Sequence, residues 1–242
     1  GTTVVGHNKE IISLQEPSLQ GSSFKKTPSP SVLPRKQNEK GILTFIILGV
    51  CCLLFFMSEA TQPTIPYGQL NHAFYPALSI SPVNRPLMYD HPAAFDFLDK
   101  AVSLYGVESL EDPNTLPVPG KMLVQQYLQT PYWQGIYDQV IVHFRNANAP
   151  WNFNVPLFEK IRQGEVWRLF TPALLHYDLL HIFFNMAWLL MLGRQIESRI
   201  KGMRYLLLIL IAGILSNTAQ YLMSGSNFIG FSGVVCAMIT FI

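Results

Sequence analysis

Residues 205–223 (YLLLILIAGILSNTAQYLM) run for 19 positions without a charged side chain. As a helix this run is roughly 28 Å long, close to the ~30 Å hydrocarbon core of a bilayer. Residues 42–57 (ILTFIILGVCCLLFFM) make a second uncharged run of 16 residues. It reaches spanning length once Gly41 and Ser58 to Ala60 add interfacial turns. Only 13% of the 242 residues are charged, about half the share in a soluble domain. The depletion is concentrated in these runs, which predicts an all-α polytopic membrane protein.

Two further spans are predicted. One lies between Asp178 and Arg194, 15 residues long and holding His181 and Asn185, polar groups suited to a protein-lined cavity and not to lipid. The other begins near Phe228. From Gly230 to Ile242 it counts 13 residues, roughly 20 Å of helix, and the first residue of the chain is glycine. Both features predict a fragment truncated within the fourth transmembrane helix. A cleaved signal peptide ending at Ser58-Glu59-Ala60 is the alternative for the first span, but the leader and the apolar core are both long for one. Cys51, Cys52 and Cys236 form neither a disulfide pattern nor a metal-ligand pattern, and no metal or cofactor is predicted. The net charge of +2 gives no sign of nucleic-acid binding, because the basic residues cluster beside the spans.

The predicted organisation is a disordered basic tail over 1–40, a first transmembrane helix over 41–60, a long loop over 61–163 and a helical core over 164–242. Arg194, Arg199, Lys201 and Arg204 fill the link between the second and third spans, while residues 59–167 hold ten acids against six bases. The positive-inside rule then puts the N-terminus and the 194–204 link in the cytoplasm, with the long loop and Ser232 towards the extracytoplasmic side. Within the loop, Asp90 and Pro92 can start a helix with Phe95, Leu98, Val102 and Tyr105 on one face, ending at Gly106. Thr130-Pro131 can start another with Trp133, Ile136, Val140 and Phe144 aligned.

Chemistry is suggested by two polar motifs in apolar surroundings. His181 and Asn185, at i and i+4, point the same way from the second span, with Asp178 as N-cap. Ser232, in Gly230-Phe231-Ser232-Gly233, falls in the first turn of the fourth helix, where free N–H groups favour negative charge. An oxyanion formed at Ser232 could be held by its own N–H and by donors from His181 and Asn185. Taken singly, each motif reads as helix packing; together on two helices they read as a site. The run is not a G-x-S-x-G nucleophile elbow, because Val234 replaces the last glycine.

Residues 164–242 resemble the rhomboid family of intramembrane serine proteases. The matching residues are Gly164-Glu165-Val166-Trp167-Arg168-Leu169-Phe170-Thr171, His176, His181 to Asn185, Gly193, Glu197 and Gly230 to Gly233. The resemblance implies a rhomboid-like helical bundle in a lipid bilayer, acting on transmembrane protein substrates. It makes Ser232 the nucleophile and His181 and Asn185 the oxyanion-hole side chains, with Trp167-Arg168 and Glu197 structural. The family's general base, a histidine on a later helix, has no counterpart before Ile242, so the 242 residues alone are expected to be inactive. A catalytically inactive relative that binds transmembrane clients is the alternative, disfavoured by the intact Ser232, His181 and Asn185 set. A transporter or channel fragment is the third reading, and the third span lacks the ionisable pair it needs.

Overall fold

The computed structural model describes residues 1–2, 41–64 and 70–242, so the predicted disordered tail lies, but for its first two residues, outside the described part. The described residues from Gly41 onward form one compact unit. The described residues are helical and contain no strand. Seven helices carry the architecture: α1 (Ile42–Ala60), α2 (Ala93–Tyr105), α3 (Val118–Gln129), α4 (Ile136–Arg145), α5 (Leu179–Ile200), α6 (Gly202–Ser224) and α7 (Ser232–Phe241). Of these, α1, α5 and α6 are long and apolar enough to cross a membrane.

The second span departs from its predicted length. Instead of stopping before Arg194 it continues to Ile200, giving 22 residues with a π-helical stretch at Leu189–Gly193. The predicted 194–204 link shrinks to Lys201, whose φ of +68° breaks the helix before α6 begins. Hydropathy misplaced this boundary because Glu197, a charged residue, is buried in the bundle. Its Oε1 accepts from the Leu43 N–H at 3.0 Å, and its Oε2 from the Thr44 N–H at 3.0 Å and the Thr44 hydroxyl at 2.7 Å. The Tyr205 hydroxyl lies 3.0 Å from Thr44 Oγ1. A carboxylate is thus set at the N-terminus of α1, where the orphan N–H groups and the helix dipole both favour it. Hydrogen bonds to a charged group are worth about 1.5–3 kcal/mol each. Gly193 completes the join, because any side chain there would run into the Tyr205 hydroxyl and the Thr44 methyl.

This cap, with Lys201, defines one end of the bundle. From there α6 returns to the end where α5 starts, and the Asn217 side chain donates to the Leu169 and Phe170 carbonyls at 3.0 and 3.2 Å. Ile182, Leu189, Ile196, Tyr205, Ile209 and Phe231 form the buried seam between the helices.

The long segment before α5 is a folded layer with its own core, including Phe74, Met88, Phe95, Leu98 and Leu110. The predicted α2 forms, buries Phe95 and Leu98, and stops at Gly106 with φ +81°. Asp90 does not cap it. Its carboxylate instead accepts from the Glu159 and Lys160 N–H groups, each at 3.0 Å, and from the Tyr221 hydroxyl at 2.9 Å. The helix predicted from Thr130 starts only at Ile136. Trp133 lies outside it, buried, with its ring N–H donating to the Tyr221 carbonyl at 2.9 Å. A tertiary contact has taken the residue that periodicity assigned to a helical stripe. The fourth apolar helix also begins later than predicted, at Ser232.

Candidate active site

Asp178, in extended conformation, caps α5 by accepting the His181 N–H at 2.8 Å. His181 and Asn185 follow in the first two turns and project towards the same side. Asn185 is buried, and its amide donates to the His181 carbonyl at 3.0 Å, a bond within the helix and not to Ser232.

The second motif reaches this helix through Gly230. Its φ is +134°, a conformation that favours glycine. A Cβ at Gly230 would lie 2.6 Å from His181 Cε1 and 2.7 Å from Nε2, so the imidazole sits directly against the backbone two residues before Ser232. The Gly230 N–H donates to the Pro172 carbonyl at 3.0 Å and pins the loop. Buried Phe231 then anchors the entry to α7.

Ser232 is the first residue of α7 and is exposed. The first intrahelical bond runs from the Val235 N–H to the Phe231 carbonyl. The N–H groups of Ser232, Gly233 and Val234 therefore have no carbonyl of their own helix to meet, an arrangement that favours a developing anion. Among the described residues no histidine hydrogen-bonds to Ser232 Oγ. The structure thus brings His181 to the Gly230–Ser232 turn and leaves Asn185 one turn deeper on the same helix.

Ser232 lines a cleft of about 360 Å³ together with Tyr177, Ser216, Gln220, Asn227 and Gly230. Ser216 packs against Gly233 so closely that a Cβ there would overlap its side chain. Sequence reasoning missed Ser216 and Gln220. They stand at i and i+4 in a mostly apolar helix whose polar residues, Asn217 and Thr218 among them, cluster in this turn, and the same rule about costly polar groups in spans would have found them.

His176, one of the residues that carry the family resemblance, is buried with only 1% exposure, its ring centroid 5.2 Å from that of His181. Neither ring nitrogen has a hydrogen-bond partner of good geometry. Burial first, and His181 second, hold its pKa down to about 4, so it is a neutral imidazole at neutral pH.

Trp167 and Arg168 secure the layer above the site. The Trp167 ring N–H donates to the Pro86 carbonyl at 3.0 Å. The buried Arg168 guanidinium reaches the Arg85 and Met88 carbonyls, each at 2.8 Å, and Glu165 at 2.6 Å. A separate group could hold a cation: His91 Nε2 stands 3.3 Å from Asp96 and 3.6 Å from Asp99. Arg85, 2.6 Å from Asp99, already supplies positive charge there.

Residues 163–242 match the family model described as the Rhomboid domain. Among curated proteins, the rhomboid protease GlpG of Yersinia pestis (strain Pestoides F) is 41% identical over 78 residues, which cover 32% of this chain and 28% of that protein. The rhomboid protease GlpG of Enterobacter sp. (strain 638) is 42% identical over 76 residues, covering 31% and 28%. The chain thus spans about 28% of the length of the curated relatives it matches.

Proposed function

Because residues 163–242 match the Rhomboid domain model, in a chain with three helices fit to span a membrane, we propose that this membrane protein is an intramembrane serine endopeptidase. Its substrates are transmembrane segments of other membrane proteins. Ser232 attacks the scissile carbonyl, and its own N–H with the His181 and Asn185 side chains holds the oxyanion. The base that takes the serine proton is a histidine from outside the described residues, since His181 is committed to the oxyanion. The observation that carries this reading is the contact of the His181 ring with Gly230, beside an exposed Ser232 at a helix N-terminus.

Full-length protein reconstituted in vesicles is expected to cut a single-span substrate within or beside its apolar segment. If a panel of such substrates bound to the protein and stayed intact, the reading would change to a client-binding relative.

The orientation rests on the basic residues at the Lys201 end of the bundle: that end and residues 1–40 are cytoplasmic, and residues 61–163 and Ser232 lie on the opposite side. A cysteine introduced at Lys121, an exposed residue of α3, is expected to react with an impermeant maleimide from the extracytoplasmic side. Reaction only from the cytoplasm reverses the assignment.

A further inference from the structure

Helix α4 is turned inside out for a helix on a water-facing surface. Ile136, Tyr137, Val140 and Phe144 share one side by their spacing. All four are exposed, Phe144 to 91%. The partly covered residues are three polar ones, Asp138, Gln139 and His143, and the apolar Ile141. Gln139 Oε1 accepts from the Asn152 N–H at 3.1 Å, and the His143 ring stacks on Trp151 with centroids 4.6 Å apart. No residue of α4 is buried. A helix bathed in water buries its apolar stripe and shows its polar one, so the medium outside α4 is not water.

The position of α4 identifies that medium. Trp133, just before it, is hydrogen-bonded to the Tyr221 carbonyl in the last turn of α6. Gly135, with φ +104°, allows backbone to touch backbone: a Cβ there would lie 2.6 Å from Ser224 Cα and overlap the Met223 carbonyl. Gly225, at the end of α6, is pressed against Gln134 in the same way. The chain entering α4 is therefore clamped to the end of a 23-residue apolar span, the level at which hydrocarbon gives way to headgroups. Trp151 and Phe153 are exposed as well, and aromatic side chains concentrate at that level. His143 and Arg145 in the last turn suit the headgroup layer.

We propose that α4, with Trp151 and Phe153, lies in the membrane interface at the Ser232 end of the bundle, its Tyr137, Val140 and Phe144 side against the acyl chains. The occupant of this apolar face is the bilayer and not a protein partner, an inference that rests on reading α1, α5 and α6 as spans. The helix flanks the candidate site: Asn227 lines the cleft at Ser232 and also a cavity of about 200 Å³ with Gln134 and Asp138.

Nitroxide labels test this in whole protein freed of Cys51, Cys52 and Cys236 and reconstituted in phosphatidylcholine–phosphatidylglycerol vesicles. Single cysteines replace Phe144, Arg145 or Leu215, all exposed positions. Power saturation then compares access by oxygen, which concentrates in lipid, with access by a water-soluble nickel chelate. The label at Leu215, within α6, reports insertion and should favour oxygen. The label at Phe144 should also favour oxygen, with an oxygen-to-nickel ratio several-fold above that at Arg145. If Leu215 favours oxygen while Phe144 favours nickel, the face is wet and the proposal falls. A Phe144 label immobilised and reached by neither reagent means a protein covers the face, which also overturns it. Nickel access at Leu215 overturns the membrane reading together with this one.

Discussion

Ser232→Ala in the full-length protein is expected to abolish substrate turnover and labelling by a serine-directed fluorophosphonate together. Ser232 stands at the first position of α7 with three free N–H groups around it, where the tetrahedral adduct of either reagent would find its anion stabilised. A competing hydroxyl in the cleft is Ser216, which lies against Gly233 but donates to the Gly213 carbonyl of its own helix at 3.2 Å. Loss of both signals, with the melting temperature unchanged, is the predicted result. Labelling that survives Ser232→Ala and is lost in Ser216→Ala would move the nucleophile to α6 and defeat the proposed mechanism.

Asn185→Ala is expected to slow turnover by roughly 100- to 1000-fold while leaving fluorophosphonate labelling detectable, the effect of removing one oxyanion donor. His181→Ala should behave similarly, and should not remove the base if that base is a different histidine. The competing account is packing. Asn185 is buried and its amide bonds the His181 carbonyl, an interaction worth about 1 kcal/mol to stability. A purely structural Asn185 would lower the melting temperature in the alanine variant and leave the turnover of the folded fraction near wild type. Turnover and melting measured on the same preparations separate the two, and unchanged turnover would end the oxyanion assignment for Asn185.

What could be read from residues alone was local. The helix over 93–105, its stop at Gly106, the Asp178 cap and the shared side of His181 and Asn185 all follow from backbone preferences and from 3.6-residue periodicity. So does the position of Ser232 in the first turn of α7. The mistakes have one cause, which is that periodicity and hydropathy treat a residue as if its only neighbours were water or lipid. Trp133 fits the stripe of α4 by spacing, yet its ring N–H is bonded to the end of α6. Asp90 has the composition of a cap for α2, yet its carboxylate serves Glu159, Lys160 and Tyr221.

The number and composition of the apolar runs were enough to set the fold class, because an uncharged run of membrane thickness can satisfy its backbone as a helix within its own length. The length of α5 was beyond that argument: Glu197 is charged, and its place inside the bundle depends on the N-terminus of α1, some 150 positions earlier in the chain. The site divides in the same way. Which side chains carry donors, and on which helix face, follows from one stretch of chain at a time. That His181 rests on Gly230, that Ser216 and Gln220 border Ser232, and that α4 turns its apolar side outward follow from how the helices meet. Those meetings are contacts between residues far apart in sequence, and close packing selects them for the whole set of helices at once.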